Sequence, residues 1–415
     1  MSQPVLSTSV FSKLRLPNGI ELPNRLAKAA MEENMATCGH LPGEDIFRLY
    51  KTWASGGAGL LITGNVMVDH RAMTGPGGIS LEAETPLEPF KKWAEVGQQN
   101  GTHMWMQINH PGRQVYAAMG GSVLSPSDIA LDMGKHSNLF GKPKPMTEED
   151  IAELIERFST TAKRAVEAGF KGIQIHAAHG YLLSQFLSPL TNQRKDQWGG
   201  SLENRARLLY EVVKAVQKSV SKDTAVAVKL NSADFQRGGF DADDAIAVVK
   251  ALGNLNVDLV EVSGGSYESP AMQGNTADGR TLAREAYFLQ FAKDIAKEAT
   301  MPVMTTGGIT RLEVAQHVID EGVDMVGLGR ALAFSPALPN LWKEFPLAQA
   351  VIPEVKWKDK TLSGVATMAI AKRQLQRMGK GKQPKENSSA IVSLISDQMR
   401  LKKLTKIYRS RYATA

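Results

Sequence analysis

Short apolar runs recur along this chain, at Leu26–Met31, Gly59–Asn65, His103–Asn109, Gly172–Ala177, Ala225–Asn231, Leu259–Ser263, Pro302–Thr306 and Met325–Gly329. Several are apolar almost throughout instead of alternating, as parallel strands covered on both faces should be. Each is followed by helix-compatible sequence long enough for a crossover. Thr147-Glu148-Glu149-Asp150 reads as a capping box, and the stripe Ile151, Leu154, Ile155, Phe158, Ala162, Ala165 and Val166 behind it keeps helical period until Gly169. Ser201 opens another helix with Leu208, Leu209, Val212, Val213 and Val216 inward, and Asp241 a third through Ile246, Val249 and Leu252. Eight strand–helix units predict an α/β fold, a (β/α)8 or TIM barrel.

Three stretches fall outside that repeat. Leu14–Leu22 sets Asn18-Gly19 between two short apolar runs, the pattern of a tight hairpin, which is expected to close the bottom of the barrel. Residues 111–146, rich in Gly, Ser and Pro, are too long for a plain connection. They follow the C-terminal end of the third strand, so a lid over the active face of the barrel is expected there. The barrel is assigned to residues 1–340, and residues 341–415 to a basic, largely helical C-terminal extension. Within it Leu362–Met378 is helix-compatible, residues 379–385 read as a flexible basic connector and Ile391–Tyr408 as a surface helix, with a solvated tail the expected state.

Composition narrows the chemistry. The 415 residues are 43% hydrophobic and 22% charged, enough for a large folded core. No run approaches the length needed to cross a bilayer, and Met1–Lys13 lacks the pattern of a cleaved leader, so no membrane is expected and the cytoplasm is the expected location. Cys38 is the only cysteine, which excludes an intrachain disulfide and a protein-held iron–sulfur cluster; electron transfer would need an organic cofactor. The net charge of +7, concentrated partly between Lys372 and Arg411, suits an anionic cofactor without requiring nucleic acid. A homo-oligomer stays open.

The fourth run ends in His176-Ala177-Ala178-His179-Gly180-Tyr181. Two imidazoles and a phenol at a strand end can converge on one cleft, the imidazoles bonding one substrate oxygen while the phenol offers a proton. No thiolate or carboxylate set accompanies them, so no metal is assigned, while histidines serving only to cap the strand remain open. Trp105, Tyr116, Trp198, Phe240 and Tyr267 are candidates to line that cleft.

The stretch from His176 to Leu182, with Gln193-Arg194-Lys195-Asp196-Gln197-Trp198-Gly199-Gly200-Ser201, resembles the signature of the old yellow enzyme family, the FMN-dependent ene-reductases. The resemblance extends to Leu22-Pro23-Asn24-Arg25, Gly56–Leu60, Met106-Gln107-Ile108-Asn109-His110-Pro111-Gly112-Arg113, Thr306-Gly307-Gly308 and Gly327-Leu328-Gly329-Arg330, covering about the first 340 residues.

It implies FMN at the C-terminal face of the barrel, NADPH or NADH as reductant, and a small α,β-unsaturated carbonyl (enone-type) substrate in the same cleft, with His176, His179 and Tyr181 catalytic. Gly307, Gly308, Gly329 and Arg330 follow the last two strands, where close amides and a guanidinium suit a phosphate. Gln107 suits the flavin's pyrimidine edge. Lys229, where the family usually has arginine, would stabilise charge on reduced flavin; its structural alternative is an ion pair with Glu261. Ala30, Met31 and Asn65, at the ends of the first two strands, are implied flavin neighbours. Glu32 stands where the family normally has threonine or cysteine, and its structural alternative is a pair with Lys28 or Arg71. The alternatives kept for function are another FMN-dependent substrate class (a dienoyl thioester, an amine, a nitro compound) and a non-catalytic flavin-binding scaffold.

Overall fold

A computed structural model describes residues 8–273 and 285–412. Eight parallel strands close on themselves: β1 (Leu26–Lys28), β2 (Leu60–Ile62), β3 (His103–Asn109), β4 (Gly172–Ala177), β5 (Ala225–Asn231), β6 (Leu259–Ser263), β7 (Val303–Thr306) and β8 (Met325–Leu328). Each pairs with the next, and β8 returns to β1 through Val326 opposite Leu26 and Leu328 opposite Lys28. Every strand lies within its predicted run. The ends of the first two runs are not strand, because after Lys28 and Ile62 the backbone turns into loops at the top of the barrel.

Helices clothe the outside: α1 (Glu44–Ala54), α2 (Glu88–Gly97), α3 (Glu148–Glu167), α4 (Leu202–Ser219), α5 (Ala242–Asn254), α6 (Leu289–Glu298) and α7 (Leu312–Asp320). Thr147 and Asp150 form the reciprocal cap of α3, and Ser201 and Asp241 cap α4 and α5 through their side-chain oxygens. The inward stripe of α3 buries Ile151, Leu154, Phe158, Ala162 and Ala165. Each large member contributes about 1.5–3 kcal/mol, so Phe158→Ala is the single change that would loosen this helix most.

The interior changes character with height. Ala27, Leu60, Ile62, Trp105, Ala225, Ala227, Leu259, Met304 and Met325 fill the lower barrel, and Leu14, Leu16 and Leu22 of the hairpin pack beneath them. That hairpin pairs Leu14 with Leu22 across Gly19 at φ +92°, and the Asn18 amide donates to Asp258 at the foot of β6 (3.0 Å), so it closes the bottom as its sequence suggests. Two residues up β3 to β7, at the inward-facing period, stand Gln107, Gln174, Lys229, Glu261 and Thr306, all but Thr306 buried. Polar side chains at that height define the floor of a site. Trp105 lies below it in the apolar layer, while Trp198 and Phe240 pack in the outer core, so these three line no cleft.

Beyond the barrel, α8 (Lys360–Gly379) and α9 (Ala390–Tyr412) fold back onto the loops after β1 and β2. Arg400 donates to the Asn34 carbonyl (3.0 Å), Tyr408 to the His70 carbonyl (2.8 Å), and Arg48 to the Gly379 carbonyl that ends α8 (2.9 Å). The expected solvated tail is therefore a docked helical pair. Tyr408 and Tyr412 hold it by ring contacts of 4.9–5.5 Å to His40 and His70. No described helix is long and apolar enough to cross a membrane.

Candidate active site

The floor is a continuous hydrogen-bonded layer. The Gln107 amide donates to Gln174 Oε1 (2.7 Å), Gln174 donates to Glu261 Oε2 (2.8 Å), and Thr306 donates to Glu261 Oε1 (2.8 Å). Lys229 Nζ completes it, 2.8 Å from Glu261 Oε1. Lys229 is thus engaged by the acid proposed as its structural alternative. A pair so buried holds its geometry because neither partner can turn to water.

Above the floor the chain leaves β4 through a strained turn. His179 adopts φ +61° and Gly180 φ +71°, left-handed values that cost a side-chain-bearing residue about 1–3 kcal/mol. The turn is fixed from several directions. Asn231 at the end of β5 accepts the His179 amide (3.0 Å), Gln114 at the base of the lid donates to its carbonyl (3.0 Å), and Gln185 donates to Gly180 (2.7 Å). A Cβ at Gly180 would stand 2.8 Å from Ser266, so that position admits only glycine.

The strained turn brings the side chains together. The His176 and His179 rings lie 5.0 Å apart at 83°, and Tyr181 is 4.9 Å from His176 at 82°. His176 Nδ1 accepts from the Ala178 amide (3.2 Å), which leaves the ring proton on Nε2. His179 Nε2 is 2.7 Å from Ser263 Oγ at the end of β6. Burial, with the Lys229 cation second, drives both imidazoles well below the usual histidine range, so both are neutral donors at pH 7. Burial likewise raises the Tyr181 phenol, with the Glu32 charge second, and its hydroxyl lies 3.1 Å from that of Tyr267.

The lid arches over this group. Tyr116 stacks on Phe140 (4.9 Å, 21°), which faces Tyr267 (6.0 Å), and Arg113 ties the lid base to Glu268 after β6 (2.6 Å). His110 behind it is buried and held down at about 4.

Other expected residues are placed around the rim. Ala30 packs on the barrel interior and Met31 on the outer core; Asn65 lies beside Gly64 in a crevice shared with Glu32, Asn34 and Gly77. Glu32 meets neither Lys28 nor Arg71. Lys28 is drawn to Glu33 and the Ile62 carbonyl, Arg71 to Asp69 and Glu153, and Glu32 instead accepts from Thr74 (2.6 Å) with Lys372 of α8 at 3.9 Å. Gly307 and Gly308 follow β7 at φ +157° and +71°, Gly329 follows β8 with open space where a Cβ would point, and Arg330 starts the next short helix. Asp69, His70 and Glu82 cluster off the barrel, but Arg71 and Arg157 already neutralise that group.

A flavin mononucleotide fits this donor set. Asn109, at the top of β3 and inward with Gln107, is fully buried with both amide atoms unpartnered, and at the ends of β7 and β8 Gly329 has open space where a Cβ would point while the Tyr287 ring lies against Gly307 and Gly308. Residues 9–344 match the NADH:flavin oxidoreductase / NADH oxidase family. The chain belongs to this family, that of the old yellow enzymes. It is 36% identical over 344 residues to the NADH-dependent flavin oxidoreductase iliE of Hypocrea jecorina, covering 78% of this chain and 86% of that one. Its likeness to the iliE protein of Neonectria sp., 36% over 381 residues, covers 86% of this chain and spans half of the relative's length. Among solved structures, the old yellow enzyme homologue of Zymomonas mobilis superposes with TM-score 0.71 at 25% identity over 83% of this chain and 95% of its own, and morphinone reductase in complex with tetrahydroNAD with 0.68 at 23% over 83% and 93%. Membership carries FMN and a nicotinamide as the cofactors of this old yellow enzyme family chain, and the family match ends before α8 begins.

Three residues of this site were not expected from sequence. Gln174 was readable, since a glutamine two residues before His176 shares its inward face. Gln114 carried no signal beyond lying in the lid. Lys372, with Arg373 directly after it, follows the apolar run Met368-Ala369-Ile370-Ala371 and reads as the solvated edge of a helix.

Proposed function

We propose that the chain takes hydride from NADH or NADPH and reduces the activated C=C bond of an α,β-unsaturated carbonyl compound, with both reactants using the cleft in turn. The observation that carries this reading is the convergence of two neutral imidazoles and a phenol above a buried cation. FMN, when bound, would supply the hydride chemistry that links the two half-reactions. His176 Nε2 donates to the substrate carbonyl oxygen, and His179 joins it through Nδ1 when Ser263 donates to its Nε2. Enolate charge then grows against donors already in place, which is worth more than donors that must reorganise. Tyr181 delivers the proton to the α-carbon, and Tyr267, hydrogen-bonded to it, stabilises the phenolate left behind.

Gln107, Lys229, Asn109 and the Ala30–Glu32 and Asn65 rim are assigned to the ring system, Gly307, Gly308, Gly329 and Arg330 to the phosphate. The single cysteine suits a reducing compartment, and we assign the reaction to the cytoplasm. The test is anaerobic: protein reduced by NADH or NADPH until its yellow absorbance bleaches, then mixed with cyclohexenone. Return of the colour, with saturated ketone as product, is expected. Bleaching with no return on any enone would overturn the substrate class while leaving the flavin in place.

A further inference from the structure

The part of the chain outside the family match reaches the loops at the top of the barrel. α8 packs against α1 and against the short helix Arg330–Phe334, so it stands where the first and last barrel units meet. It carries Lys372 inward, the side chain 15% exposed, with Nζ 3.9 Å from Glu32 Oε2. Thr74 holds the other Glu32 oxygen (2.6 Å). Glu32 stands four residues past the end of β1, among the loops at the top of the barrel, and its charge adds to the effect of burial in raising the phenols of Tyr181, Tyr267 and Tyr116. Asp397 and Arg400 of α9 flank Lys372 with one charge of each sign, leaving Glu32 as its partner toward the cleft.

The pair is not needed to hold the helices. A partly exposed ion pair at this separation contributes little to stability, and α9 is already tied down by Tyr408, Arg400 and the aromatic contacts to His40 and His70. Its effect lies in the field it sets. An unbalanced Glu32 carboxylate would repel any anionic oxygen placed beside His176 and His179, and so would oppose both anionic ligands and the enolate.

We infer that Lys372 is a positioning residue of the active site, delivered by the C-terminal helices to neutralise Glu32 so that the cleft accepts an anionic oxygen. The inference rests on His176 and His179 as the oxygen-holding pair. The test uses the full-length, FMN-loaded chain and 4-nitrophenol at a pH where it is ionised, followed by the absorbance of the complex. Lys372→Met should weaken 4-nitrophenolate binding at least tenfold while changing the affinity for uncharged cyclohexanone less than threefold. Lys372→Arg should keep phenolate binding within threefold of wild type, and Glu32→Gln/Lys372→Met should restore it to within threefold. Unchanged phenolate binding in Lys372→Met, or a loss that removing the Glu32 charge does not restore, would overturn the inference. Should Lys372→Met fail to fold, Glu32→Gln alone reads the same field: tighter phenolate binding by at least threefold is expected, and no change overturns it. Wild-type protein that binds 4-nitrophenolate but reduces no enone refutes the substrate class and leaves this inference standing; wild-type protein that binds no phenolate ends it whatever its turnover.

Discussion

Replacing Lys229 by methionine probes the buried layer on which the site stands. The change leaves the Glu261 carboxylate, wholly removed from solvent, without its cation. Breaking one side of such a pair costs about 3–5 kcal/mol. Two neutral donors remain, from Gln174 and Thr306, each worth about 1 kcal/mol, so the lower end applies. Urea unfolding of the FMN-free protein at pH 7 should therefore show a deficit of about 3 kcal/mol. Lys229→Met/Glu261→Gln, which removes the stranded charge and keeps the hydrogen bonds to Gln174 and Thr306, should recover all but about 1 kcal/mol. An unchanged unfolding free energy in Lys229→Met, or no recovery in the double variant, would refute the reasoning. Any additional loss confined to the FMN-loaded form measures the cation's share in holding the flavin.

The remaining predictions concern the chemistry and the fold's response to acid. Tyr181→Phe should slow reoxidation by cyclohexenone by about 10²-fold or more in stopped-flow mixing, while reduction by nicotinamide changes less than threefold; equal losses in both half-reactions would remove the proton-donor role. Arg330→Ala should weaken FMN at least tenfold and riboflavin hardly at all, as followed by flavin fluorescence; equal loss of both ligands would separate Arg330 from the phosphate. Burial depresses His110 from 6.5 to about 4 and lowers His176 and His179 as well. Depressed bases stabilise the fold above about pH 6.5 and lose that contribution as pH falls toward the folded values. His110→Gln should accordingly reduce the fall in unfolding free energy between pH 6.5 and 4 by up to about 3 kcal/mol, from 1.36 kcal/mol per unit. An identical pH profile in the variant would show that His110 is not held neutral.

What the sequence revealed, and what it hid, follows from the range over which each interaction acts. The strands of the barrel were legible because burial on both faces is written into consecutive residues, as in Val226-Ala227-Val228, and the caps at Thr147, Ser201 and Asp241 because they act within three residues. The His176–Tyr181 cluster was legible for a related reason, its members being joined by one turn. Partnerships across the barrel were not. Nothing near Glu32 announces a lysine 340 positions away, and both local candidates are drawn off by nearer acids, Lys28 by Glu33 and Arg71 by Asp69. The docking of α8 and α9 was hidden by composition. A helix dense in Lys and Arg reads as solvated, yet Tyr408 is 1% exposed and carries the attachment through one hydroxyl and one ring face. A basic helix needs only a few apolar anchors on one side to be held, because its long cations keep their charges in water from the other side. The pattern that marks a tail as free is therefore also the pattern of a tail that is docked, and only the partners it meets, here His40, His70 and the loop bearing Glu32, separate the two.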